Sequence, residues 1–240
     1  MPSSMTSVVT HDDQQMPAHL WLPESGVGPG VVLFQEIFGI SDYVRRRAED
    51  LAELGYVVVA PEIYWRSEDV GPFGWDPIDR AIGKVTELDW HEAVLDGASA
   101  VQHVRALDAV TAGTAIVGFC FGGGLGFAVA AHLETVDGGG KGIDALVSFY
   151  GSALADLVNT TTVAAPSLHH FGLADQYIDA DAVRHLESVL IEQPRTTFFT
   201  YEGADHAFDN SDGPLHHPEA STLAWDRTTQ WLEQHLPSKP

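Results

Sequence analysis

Short runs of strand length recur along this chain: Val31 to Phe34 after Gly30 and Tyr56 to Ala60, both uninterrupted and apolar, then Thr114 to Val117, Ala145 to Tyr150 and Pro166 to Phe171. Runs of this length, without polar alternation, suit strands covered on both faces of a sheet. Thr196 to Tyr201 reads as a further strand, and Ala18 to Pro23 as a short edge strand stopped by proline. Longer stretches between the runs have helical spacing. Ser41 to Leu54 starts at a plausible cap and stops at Gly55, and Trp90 to Leu107 places Ala93, Val94, Gly97, Ala98, Val101 and Val104 on one stripe. Gly122 to Leu133, Asp181 to Ile191 and Ala220 to Leu236 complete the helices. The alternation predicts one α/β domain over residues 1–240, a mostly parallel sheet with helices on both faces. Residues 1–16 read as weakly ordered, and Gly138 to Gly140 as a linker.

The pattern loosens between Pro61 and Asp89, where Tyr64, Trp65, Phe73 and Trp75 stand among Gly71, Pro72, Gly74 and Pro77. An aromatic excursion leaving a strand end is a pocket wall or lid, or else loop aromatics packed onto the domain.

Composition narrows the possible partners. With 45% hydrophobic and 19% charged residues the chain is ordinary globular material, but 34 acidic against 12 basic residues leave a formal charge of -22. That charge argues against nucleic acid or an anionic membrane as a partner. No run approaches the roughly 18 to 20 apolar residues of a membrane span, and the polar start lacks a secretory signal, so a cytoplasmic location is expected. The expected assembly is a monomer or small homo-oligomer. The one cysteine, Cys120, has no internal disulfide partner.

Candidate chemistry gathers at the strand ends. Gly118 Phe119 Cys120 Phe121 Gly122 has the form of a nucleophile elbow with cysteine in the serine position. A thiol loses its proton far more readily than a hydroxyl, which makes Cys120 a candidate nucleophile; a small buried cysteine in a glycine-rich turn is the plainer alternative. Glu36, Asp175 and His206 also directly follow predicted strands, where ligands bind in such sheets. Cys120, Asp175 and His206 come in the order nucleophile, acid, histidine, the roles being attack, orientation of the imidazole and proton transfer. Asp179 and Asp205 compete for the acid role. The pairs His169 His170 and His216 His217 raise the question of metal, yet neighbours on a strand point apart and are poor joint ligands, so no metal is expected.

Gln35 Glu36 Ile37 Phe38 Gly39, the cysteine elbow, Phe149 Tyr150 Gly151, Gly172 to Asp175 and Gly203 to Phe208 together resemble the dienelactone hydrolase, or carboxymethylenebutenolidase, family. The resemblance implies an α/β-hydrolase fold without cofactor, a Cys120, His206, Asp175 triad, and Glu36 beside the resting thiol to help it ionise. It implies an oxyanion hole from the backbone N–H groups of Ile37 and Phe121, and a small lactone or ester as substrate. Arginines that hold a substrate carboxylate in the family find one counterpart in Arg80, while the position after the histidine loop is Asn210. That departure leaves a neutral or less acidic ester open, for which Tyr64, Trp65, Phe73 and Trp75 suit an apolar group. A ligand-binding protein without turnover and a thiol redox sensor are the other readings of the same residues.

Overall fold

The apolar runs form the middle of an eight-stranded sheet in a computed structural model that describes residues 3–136 and 142–238. In chain order the elements are β1 (Ser4–Val9), β2 (Gln15–Trp21), β3 (Gly28–Phe34), α1 (Asp42–Glu53), β4 (Val57–Pro61), α2 (Asp79–Glu87), α3 (Trp90–Ala106) and β5 (Val110–Phe119). They continue as α4 (Phe121–Thr135), β6 (Ala145–Phe149), α5 (Leu154–Leu157), β7 (Ser167–Gly172), α6 (Ala180–Leu190), β8 (Thr196–Tyr201) and α7 (Pro218–His235). The sheet order is β1-β2-β4-β3-β5-β6-β7-β8. From β4 to β8 neighbouring strands are parallel, with Val32 opposite Ile116 and Phe119 opposite Phe149, while β2 runs antiparallel to β1 and β4.

Helices cover both faces, as the continuous apolar strands demand. Ile116 and Phe119, three residues apart on β5, project to opposite sides. Ile116 lies under Gly126 of α4, whereas the ring of Phe119 meets Tyr43 of α1 edge-on at 5.3 Å. Helices α3 and α4 pack together on the first face, and on the second Arg47 of α1 stacks over Trp225 of α7. Ser41 caps α1 as expected, accepting from the Val44 N–H.

Three expectations need correction. The stretch expected to be weakly ordered, residues 1–16, is ordered among its described residues: Ser4–Val9 and Gln15–Trp21 form a hairpin, so β1 is the edge strand and β2 lies one place in. The excursion from Pro61 holds a helix, α2, that Pro77 and Gly83 disguise in the sequence. A single turn, α5, also follows β6. The linker proposed at Gly138 to Gly140 lies outside the described residues. Among the described residues no helix is long and apolar enough to cross a membrane.

Candidate active site

Strand β5 ends at Phe119 and α4 begins at Phe121, so the chain reverses within Cys120 itself, at φ +54° and ψ −119°. A side chain in that region costs on the order of 1–3 kcal/mol and persists only where its surroundings enforce it. Here they do. A Cβ on Gly118 would stand 2.1 Å from the carbonyl oxygen of Gly122, and one on Gly122 would stand 2.4 Å from that of Phe34. Glycine two residues either side is therefore a steric requirement of the turn. The Cys120 N–H donates to the Phe149 carbonyl and the Ser152 N–H to the Cys120 carbonyl, both at 3.0 Å. The thiol is thus held at the N-terminus of a 15-residue helix whose first N–H groups have no intrahelical acceptor.

The loops after β7 and β8 bring the acid and the imidazole to it. His206 Nε2 lies 3.1 Å from Cys120 Sγ, and His206 Nδ1 lies 2.7 Å from Asp175 Oδ2. The other oxygen of Asp175 accepts the N–H groups of Tyr177 and Ile178, each at 2.8 Å, which fixes the carboxylate. The rival acids are engaged elsewhere: Asp205 accepts the His206 and Gln176 N–H groups, and Asp179 caps α6. Ser152 places its hydroxyl 3.5 Å from Sγ.

Charge favours an ionised pair. Burial works against the Cys120 thiolate, but His206, the Ser152 hydroxyl and the Phe121 N–H outweigh it and hold the thiol below its ordinary range. Burial likewise disfavours the imidazolium, yet Cys120 and Asp175 push His206 well above the usual histidine range. Both shifts run toward a thiolate beside an imidazolium, with a carboxylate orienting the ring.

Glu36, two residues beyond β3, is wholly buried. Asn210 donates Nδ2–H to its Oε2 at 2.5 Å and Tyr150 its hydroxyl to Oε1 at 3.2 Å. Burial first, then the nearby Cys120 charge, pushes Glu36 up to about 8, against the opposing pull of the Asn210 bond. At neutral pH it is mainly a neutral acid. The polar network continues inward. The Tyr150 and Tyr43 hydroxyls stand 3.4 Å apart, Tyr43 donates to Asp209, and Arg47 grips Asp209 through Nε and Nη2 at 2.8 and 2.7 Å. Glu36 has no place as a helix cap, since Ser41 fills that role.

Because Glu36 holds its proton more tightly folded than unfolded, the folded state binds more protons between about pH 4.5 and about pH 8. Its contribution therefore weakens the fold as pH rises through that window and levels off above it. Glu36→Gln is expected to lose this penalty, so its stability relative to wild type should climb by a few kcal/mol, about 3 to 5, between pH 5 and 9. Denaturant titrations of both proteins across that range check it; a constant difference would contradict the buried-acid reading.

These groups line a pocket of about 230 Å³. Cys120, His206, Glu36 and Ser152 form its floor, and Ile37, Phe38, Trp75, Ile78, Ile82, Tyr177, Ala207 and Leu215 form its walls. Helix α2 and the residue before it supply Ile78 and Ile82, one turn apart, so the excursion does wall the site. Its aromatics divide. Trp75 lines the pocket and packs on Phe38 at 4.6 Å. Tyr64 and Phe73 are buried behind it, where the Tyr64 hydroxyl donates to the Ile37 carbonyl at 3.0 Å and its ring stacks on Phe121. Trp65 faces away, donating Nε1–H to Asp96 at 2.8 Å.

Neither expected substrate-holding side chain reaches the pocket. Arg80 is 63% exposed, paired with Asp69 and laid over the Phe73 ring. Asn210 is buried on Glu36. His169 and His170 point to opposite faces, toward Phe127 and toward Thr228, and His217 caps α7. Sequence reasoning missed Ser152, Tyr177 and the Tyr43–Asp209–Arg47 network. Only Tyr150, in the Phe149 Tyr150 Gly151 stretch, carried a visible signal for it.

The chain is similar to known proteins in both sequence and fold. A profile of the dienelactone hydrolase family matches residues 16–236. The carboxymethylenebutenolidase of Pseudomonas sp. (strain P51) is 31% identical over 227 residues, covering 92% of this chain and 90% of its own. Carboxymethylenebutenolidase 1 of Cupriavidus pinatubonensis is 29% identical over 236 residues, 97% of each chain. Among solved structures, a putative dienelactone hydrolase from Klebsiella pneumoniae subsp. pneumoniae has a TM-score of 0.82 at 26% identity, covering 97% of this chain and 98% of its own.

Proposed function

This chain belongs to the dienelactone hydrolase family and is a hydrolase of ester or lactone bonds, and from that premise we propose that Cys120 is its nucleophile, working through a thioester. The observation that carries the reading is the 3.1 Å approach of His206 Nε2 to Cys120 Sγ, with Asp175 2.7 Å behind the imidazole. In the first half-reaction the thiolate attacks the carbonyl carbon, forming the C–S bond while the carbonyl π pair moves to oxygen. The N–H groups of Phe121 and Ile37 are the donors for that oxyanion, Phe121 because it opens α4 and points its N–H at the sulfur. Collapse breaks the C–O bond, and the departing oxygen takes the proton from His206 Nε2. A simple ester releases its alcohol, whereas a lactone keeps the new hydroxyl on the acyl chain. In the second half-reaction His206 takes a proton from water as hydroxide adds to the thioester, and the thiolate leaves with the acid formed. Asp175 keeps the imidazole in the tautomer that faces the sulfur throughout.

Alkylation by iodoacetamide tests the proposal, because only the thiolate reacts. With the thiol held below its ordinary range, inactivation is expected to stay fast on the acid side of a free cysteine's titration. It should also run in step with loss of turnover of small aryl esters. In His206→Ala the limb of that profile should move to higher pH, since the main group favouring the thiolate is gone. Turnover that survives complete alkylation removes the proposal.

A further inference from the structure

The pocket wall offers nothing to a charged substrate. Among the described residues its lining holds no lysine or arginine, and its side-chain polar groups are the Cys120–His206 pair, Ser152, Tyr177, Glu36 and the indole N–H of Trp75. Glu36 spends its hydrogen bonds on Asn210 and Tyr150. The cations on the flanking elements are held by other partners, Arg45 of α1 by the His19 ring and the rest by carboxylates. On α2, Arg80 pairs with Asp69 and Lys84 with Glu87; on α1, Arg46 pairs with Asp212 and Arg47 with Asp209. The chain around them carries a formal charge of -22. A carboxylate entering this pocket would lose its water and meet no cation but His206, which Cys120 and Asp175 already hold, against a repelling field.

Size and shape point the same way. At about 230 Å³ the cavity exceeds the roughly 150 Å³ that holds a benzene ring in an apolar protein interior. Ile78, Ile82, Trp75, Phe38 and Leu215 present hydrocarbon to whatever sits above the thiol. On the reading that Cys120 is the nucleophile, we infer that the substrate is an uncharged ester or lactone with a compact apolar acyl or ring portion, and that anionic substrates are rejected by the pocket itself. Ile82, 43% exposed on α2 at the pocket edge, is the position where a single added cation would reverse that preference.

Two esters of equal length test this: p-nitrophenyl butyrate and mono-p-nitrophenyl succinate, which differ by a terminal carboxylate. The expected kcat/KM favours the butyrate ester on the order of a hundredfold, and added salt should raise only the succinate rate by screening repulsion. In Ile82→Arg the ratio should fall by about tenfold or more. Cys120→Ala separates the two claims, because turnover retained there overturns the nucleophile assignment whatever the ratio. A ratio near one, or one favouring succinate in wild type, overturns the charge selection while leaving Cys120 untouched. Protection of Cys120 from iodoacetamide by N-phenylbutanamide against N-phenylsuccinamic acid reads the pocket without turnover. Stronger protection by the neutral amide supports the inference; equal protection, stronger protection by the acid, or none from either overturns it.

Discussion

Cys120→Ala is expected to lose ester and lactone turnover by on the order of 10⁴-fold or more while keeping the fold. The side chain removed is the group that forms the covalent bond, and nothing else lining the pocket is both nucleophilic and activated. Ser152 sits 3.5 Å from Sγ, but no base stands on it; His206 faces the sulfur. Alanine fits the space and meets the same backbone demand as cysteine at φ +54°, so the loss reports chemistry. Cys120→Ser should fall in between, since a hydroxyl gains far less from the same imidazole than a thiol already near ionisation. Steady-state rates on p-nitrophenyl butyrate, with circular dichroism of each variant, check the order; wild-type turnover in Cys120→Ala would contradict it.

The second large effect is on stability. Arg47→Met should destabilise the protein by about 3–5 kcal/mol, because it strips the cation from a carboxylate that has nowhere to go. Asp209 is almost fully buried, and Arg47 supplies two of its hydrogen bonds. The remaining donors are the hydroxyls of Tyr43 and Ser221. For a chain of this size the loss corresponds to a fall in Tm of roughly 6–20 °C. The double variant Arg47→Met with Asp209→Asn should recover much of it, since the uncompensated charge is removed with its partner. Arg46→Met is the contrast. Its pair with Asp212 is nearly half exposed on both sides, and exposed pairs contribute about 0–1 kcal/mol. Calorimetry of the three variants distinguishes a buried charge network from ordinary surface pairing; equal shifts for Arg46→Met and Arg47→Met would contradict it.

What the sequence discloses follows from how local each signal is. Strands β3, β4 and β6 are readable because a parallel strand covered on both faces must be apolar at nearly every position, whereas β7 is just as covered but carries Ser167, His169 and His170. β1 is not readable, since Ser4–Val9 is mostly exposed and is ordered by pairing with Gln15–Trp21, not by its own pattern. Helix α2 is hidden for a different reason: Ile78, Ala81, Ile82 and Val85 keep helical spacing, but Pro77 just before it and Gly83 within it read as loop. At the site, Cys120, Asp175 and His206 stand out because each follows a strand into the same edge of the sheet. The roles of Asn210 and Arg47 do not, because their partners lie 174 and 162 positions away. The aromatics of the excursion looked alike in sequence, yet Trp75 faces the pocket, Tyr64 braces Ile37 and Trp65 faces Asp96. Only three-dimensional placement separates a pocket wall from the packing that supports it.

The same placement defines the decisive measurement. Wild-type enzyme quenched in acid during turnover of p-nitrophenyl butyrate should show, by intact mass and then by peptide mapping, one butyryl group in place of a proton on Cys120. The adduct should vanish with hydroxylamine and never form in Cys120→Ala. An enzyme that hydrolyses the ester while Cys120 stays unacylated throughout, or one that acylates another residue, would contradict the thioester account.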